Sequence, residues 1–244
     1  MASVLYVSVR PETAAADAEF VSFQRGLGVG ELDRIDLLDS PLTPERLDGY
    51  RGVVVGGSPF NVTDAVKPEV QRRVESDLES LARRAIDGEL AALFTCFGIG
   101  VVTRMLGGTV DTEHPEVASA TVITTTAEAT ADPVFGPSAP ELRVFTAHKE
   151  SAAVVPPDAV LLATNPACPV QAYRVGTHLY ATQFHPEPSP RDFADRMTFY
   201  RTKGYFDPTQ FDRVQHSVLS ASVVGGADLL HRFTQTFAGA PANP

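Results

Sequence analysis

The 244-residue chain has no tryptophan, only two cysteines and three methionines, and 20 lysines and arginines against 30 aspartates and glutamates. Each shortage excludes something. Cys96 and Cys168 are too few for a disulfide scaffold or for the paired spacings of a zinc site. The formal charge of −10 disfavours nucleic acid or an anionic membrane surface as a partner. The apolar run at 4–9 is far below the ~20 residues of a bilayer span, and the first twenty residues lack the basic and apolar regions of a secretory signal. The expectation is a cytoplasmic protein that does not associate with membranes.

What is present describes a folded α/β chain: 43% apolar residues, with 18 glycines and 19 prolines. The length suits one large domain over 1–244, with 203–244 as a helical carboxy-terminal extension. Residues 4–9 read as a strand and 12–27 as an Ala-rich helix; 32–37 and 52–55 are further strands, and the VVV of the latter marks burial on both faces. Pro68 opens a helix to residue 86 with apolar positions at steps of three and four. A buried strand at 89–95 leads into a helix at 97–106, closed by Gly107 and Gly108. From 109 to 126 β-branched runs without helices predict an antiparallel excursion, followed by a loop at 132–140. Short strands follow at 142–146, 152–155, 160–163, 170–174 and 179–184, then helix at 190–203 and two more helices within 211–237, broken near Gly225 and Gly226.

Chemistry concentrates in three segments. In ELAALFTCFGIG, Cys96 lies between a strand end and the first turn of a helix, where the helix dipole favours a nucleophilic thiolate and Gly98 gives the tight turn of a nucleophile elbow. Read alone, the same segment equally suits a buried structural cysteine. In QFHPEPSP, His185 ends a strand as candidate base, and Glu187 two residues on points the same way in extended chain to orient it. In VVVGGSPF, Gly56 and Gly57 bring bare backbone to a strand end, and the N–H groups of Gly57 and Phe97 are the expected oxyanion donors.

These segments, GGSP, TCFG and QFHPE in this order, resemble the class I (triad) glutamine amidotransferases, in particular stand-alone proteins similar to the amidotransferase domain of GMP synthase. The resemblance runs from residue 4 to about residue 196. It implies a flavodoxin-like three-layer α/β fold with a mostly parallel sheet and a small antiparallel excursion. It also implies hydrolysis of the glutamine side-chain amide through a γ-glutamyl thioester on Cys96, with His185 shuttling protons and Glu187 orienting it. His148 and Glu150 of AHKES match a family element bordering the glutamine pocket.

One departure bears on the substrate. The family reads Cys-x-Gly-His-Gln after the nucleophile, whereas this chain reads Cys96-Phe97-Gly98-Ile99-Gly100, and the family Gln helps hold glutamine. Gly100 is therefore expected to enlarge the pocket, which raises the alternatives of a γ-glutamyl peptide or amide hydrolase and of a non-catalytic binding module. No cofactor and no metal are expected, because His178 and His185 fall on opposite strand faces and His114, His216 and His231 lack ligand-like neighbours. The partners implied are a small γ-glutamyl molecule and, for ammonia transfer, a separate synthetase subunit.

Overall fold

The computed structural model describes residues 3–136 and 140–239; the expected loop at 132–140 and the extension at 203–244 therefore lie partly outside the described residues. The elements in chain order are β1 (Val4–Ser8), α1 (Thr13–Leu27), β2 (Asp33–Asp36), β3 (Gly52–Val55), α2 (Glu69–Ile86), β4 (Ala91–Thr95) and α3 (Phe97–Met105). Then come β5 (Thr109–Asp111), β6 (Glu116–Thr125), β7 (Glu141–His148), β8 (Ser151–Val154), β9 (Ala159–Thr164), β10 (Ala172–Val175) and β11 (Leu179–Thr182). Helices α4 (Pro190–Met197), α5 (Phe211–Leu219) and α6 (Gly226–Phe233) follow.

Nine strands form one sheet in the order β2-β1-β3-β4-β11-β10-β9-β6-β7. The first five are parallel, and every pairing from β11 to β7 is antiparallel. The antiparallel part is thus as wide as the parallel part rather than a small excursion, because β9 and β10 extend the sheet and β6 and β7 join onto them. β5 and β8 make a separate two-stranded ribbon.

Strand alternation explains the layers. Leu5, Val7, Val53, Val55, Ala92 and Phe94 face the side covered by α2 and α3, where Val74, Leu78 and Leu81 pack. Val4, Tyr6, Val54, Ala91 and Leu93 face the other side, against Phe23 and Leu27 of α1 and Leu229, Leu230 and Phe233 of α6. Fully burying a side chain of this size contributes about 1.5–3 kcal/mol, so two apolar faces commit these strands to the middle layer. A third apolar cluster, with Phe145, Phe193, Met197, Phe206 and Phe211, holds α4, α5 and the intervening segment against β6 and β7.

The helix starts have different causes. Ser189 and Asp192 form a capping box with Pro190 at the first position of α4, whereas Pro68 sits just before α2 rather than inside it. Gly28, at φ +69°, closes α1 in the left-handed conformation. The expected helix at 190–203 ends at Met197, and residues 198–200 tighten into a 3-10 turn.

Candidate active site

Four neighbouring parallel strands, β1, β3, β4 and β11, end at the same edge of the sheet. Their exits carry Arg10, Gly56-Gly57, Cys96 and His185, so the topology gathers residues 175 positions apart in sequence beyond the carboxyl ends of the strands. Cys96 links β4 to α3 with φ +52° and ψ −105°. Among the described residues only Asp158 is another non-glycine with positive φ. A backbone held there costs of the order of 1–3 kcal/mol and presents the side chain outward from the turn. A Cβ added to Gly98 would lie 3.0 Å from the Phe94 Cβ, so the turn admits nothing larger at that position. The Cys96 side chain does not cap α3, and the Phe97 N–H, in the first turn, has no intrahelical acceptor.

His185 follows β11 and is fixed by its own N–H, which donates to the Phe145 carbonyl over 2.8 Å. Its Nδ1 lies 3.0 Å from Glu187 Oε1, which leaves Nε2 for proton exchange. Burial pulls the imidazole pKa down, but the Glu187 charge and hydrogen bonding to the Cys96 thiol outweigh it and push it up to about 9. Burial alone would raise the Glu187 pKa, yet His185 and Arg196 hold it well below the usual carboxylate range.

Beneath this pair lies a buried charge network. Arg196 Nη1 donates to Glu187 Oε1 over 2.7 Å and to Glu19 Oε1 over 3.1 Å. Glu19 Oε1 also accepts from Arg10 Nη2 at 2.6 Å, and its Oε2 accepts from the Tyr6 hydroxyl at 2.8 Å. Glu19 is fully buried, and Arg10, Glu187 and Arg196 are each 6% exposed or less. Two guanidiniums thus balance two carboxylates in this buried network. Gly57 does not have the expected free donor: its N–H is turned to Glu19 Oε1 at 3.3 Å. A Cβ on Gly56 would sit 2.4 Å from Glu19 Oε2, and one on Gly57 2.7 Å from His185 Cε1. The two glycines therefore make room for the buried carboxylate and the imidazole.

Two cavities meet at Cys96. One, of about 300 Å³, is lined by Phe97, Gly100, His148, Lys149, Glu150 and Gln183 among others. His148 and Glu150 thus border the site, although the Glu150 carboxylate is engaged: it accepts from the Val62 N–H at 2.7 Å, the Thr63 N–H at 2.9 Å and the Thr63 hydroxyl at 2.8 Å. Burial still raises its pKa, against those bonds. His148 bonds to Glu116 Oε2 at 2.8 Å and to the Glu150 carbonyl at 3.0 Å, so it positions the backbone of residue 150. Gly100 does not enlarge this cavity. A Cβ there would lie 3.3 Å from Val62 Cγ2 and 3.5 Å from Glu150 Oε1, so Val62 and Glu150 already fill the space beside it. The second cavity, of about 400 Å³, holds His185 together with Arg10, Arg196 and a wall of Met197, Tyr200 and Phe206.

Residues 31–203 match the model of the glutamine amidotransferase class-I family. The chain belongs to that family. Similar proteins include a glutamine-hydrolysing GMP synthase from Christiangramia forsetii, 32% identical over 150 residues that cover 59% of this chain and 26% of that protein. Another is one of the subunits of the glutamine-hydrolysing GMP synthase from Natronomonas pharaonis, 27% identical over 67% of this chain and 77% of that one. The match thus spans about a quarter of the length of the first relative and most of the second. Among solved structures, a glutamine amidotransferase from Thermotoga maritima superimposes with a TM-score of 0.70 at 18% identity, over 97% of this chain and 98% of that one. A glutamine amidotransferase from Methylobacillus flagellatus does so with 0.69 at 14% identity, over 100% and 99%. These two show the shared α/β fold, a mixed sheet flanked by helices. Among the described residues no helix is long and apolar enough to cross a membrane.

Sequence reasoning missed Arg10, Glu19, Arg196 and the wall at 200–206. A signal existed for two of them. Glu19 sits in the buried stripe of α1 with Ala15, Ala16, Ser22 and Phe23, and Arg196 sits between Phe193 and Met197 on the buried face of α4. A charge at an apolar-stripe position requires a buried partner.

Proposed function

We propose that this family member is a cysteine amidohydrolase that cleaves the side-chain amide of γ-glutamyl compounds, glutamine being the parent substrate. The observation that carries the reading is the strained, outward-presented Cys96 lining one cavity with His185, which the buried Glu187 holds at Nδ1. The Cys96 sulfur attacks the amide carbon, and the carbonyl oxygen becomes an oxyanion within reach of the Phe97 N–H. His185, oriented by Glu187, delivers a proton from Nε2 to the departing nitrogen, and the amine leaves as the γ-glutamyl thioester forms. Water, deprotonated by the same nitrogen, then hydrolyses the thioester and releases glutamate. The polar cavity suits the glutamyl half, because Lys149 in its wall offers a positive charge to an α-carboxylate.

Three relatives are each one subunit of a glutamine-hydrolysing GMP synthase, which supports a second component: ammonia released here would pass to a separate synthetase subunit. The test is direct release of ammonia and glutamate from glutamine, which should appear in a 1:1 ratio without any nucleotide. No release from glutamine or from any γ-glutamyl amide would leave only a binding module.

A further inference from the structure

The two cavities at Cys96 divide the reacting groups between them. Phe97 and Lys149 line the polar cavity and His185 does not, whereas His185 lines the other and Phe97 does not. A substrate with its carboxylate by Lys149 therefore meets the imidazole only by laying its amide across the neck between the cavities. Three residues line both and so form that neck: Ser58, Cys96 and Tyr205.

Two of the three are fixed. Cys96 is held by the turn into α3, and Ser58, 4% exposed, accepts the Phe60 N–H on its hydroxyl at 3.3 Å. Tyr205 is placed differently. Residues 201–206 form turns and bends without helix or strand, Gly204 is exposed with φ +84°, and Tyr205 is half-buried. Phe206 anchors the segment in the apolar cluster with Phe193 and Phe211, so the chain is pinned just after Tyr205 and free to turn just before it. The Tyr205 ring has Lys149 Nζ 5.3 Å from its centre and meets Tyr200 edge-on at 6.0 Å. It thus reaches from the cation of the polar cavity to the aromatic wall of the other. With the ring there, Cys96 is 8% exposed and His185 4%.

We propose that Tyr205 is a gate over Cys96 and that Lys149 is its latch. The ring swings aside about Gly204 before an amide meets sulfur and imidazole together. A carboxylate that draws the Lys149 ammonium off the ring removes a cation–π contact and frees the gate. One lysine thereby reads the substrate's carboxylate and admits its amide. This rests on the reading of Cys96 as the nucleophile and adds a positioning residue that touches neither thioester nor leaving group.

The experiment is the rate of Cys96 alkylation in the full chain by N-phenylmaleimide, read by peptide mapping, with Cys168 as the internal control. In Tyr205→Ala the rate at Cys96 should rise at least about tenfold, as for a gate open in a tenth or less of the unaltered molecules, while Cys168 stays unlabelled. Tyr205→Phe, which keeps the ring, should stay within about twofold of the unaltered chain, and Lys149→Met should rise about threefold, the effect of losing one cation–π contact. L-Alanine, which offers an α-carboxylate on a side chain too short to reach the sulfur, should accelerate labelling of the unaltered chain by a similar factor and leave Lys149→Met unchanged. The last two arms do not depend on how Tyr205→Ala folds. Equal rates in Tyr205→Ala and the unaltered chain would overturn the gate, and no effect of L-alanine or of Lys149→Met would overturn the latch. Ammonia release is read separately: a chain that gates Cys96 but releases none from any γ-glutamyl amide keeps the gate and loses the amidohydrolase reading.

Discussion

Cys96→Ala is expected to lower glutamate release by at least about 10³-fold, to the level left by binding and the oxyanion donor alone. No neighbouring group can replace the sulfur. The other thiol, Cys168, is fully buried, and burial and the Glu116 charge push its pKa up to about 11. It bonds to the Val170 carbonyl at 3.5 Å, away from both cavities. His185→Ala should cost nearly as much, and the double variant little more than either, because nucleophile and base act as one unit. Steady-state rates of the three variants check this, and a Cys96→Ala protein within tenfold of the unaltered one would contradict it.

Arg196→Met is expected to destabilise the fold by about 3–5 kcal/mol, the cost of leaving a buried ion pair broken. Arg196 is 4% exposed and serves Glu187 and Glu19 at once, so its loss strips a counter-charge from two carboxylates that have no access to water. For a chain of this size that is a fall in Tm of about 6–20 °C. The exposed pair Arg191–Asp195, 2.9 Å apart, provides the contrast: Arg191 is 78% exposed, and Arg191→Met should shift stability by less than about 0.5 kcal/mol. Thermal unfolding of both variants at pH 7 measures the difference, and equal shifts would contradict the buried network.

How far the sequence carried the reading depends on where each residue takes its constraint. That Cys96 and His185 come to one cavity with Glu187 against the imidazole was legible because each is placed by local chain: a strand end, a tight turn admitting only Gly98, and a two-residue step along extended backbone. The parallel half of the sheet was legible from unbroken apolar runs such as VVV at 53–55. The width of the antiparallel half was not, since nothing local in β6, β9 or β10 states that they continue the central sheet. Gly100 was misread for the same reason. Its missing side chain is visible in the sequence, whereas Val62, which fills the space, arrives from a loop fixed by Glu150 from 88 residues away. Gly57 was misread because its N–H partner, Glu19, lies 38 residues away on α1, and nothing local to the GG turn indicates that partner.

The most direct measurement is intact-mass and peptide mapping after incubation with an electrophilic glutamine analogue whose reactive carbon replaces the side-chain amide. The account predicts one adduct per chain, on Cys96, formed far more slowly in His185→Ala and blocked by excess glutamate. An adduct on Cys168, or labelling of Cys96 at the same rate with and without the imidazole, would contradict it.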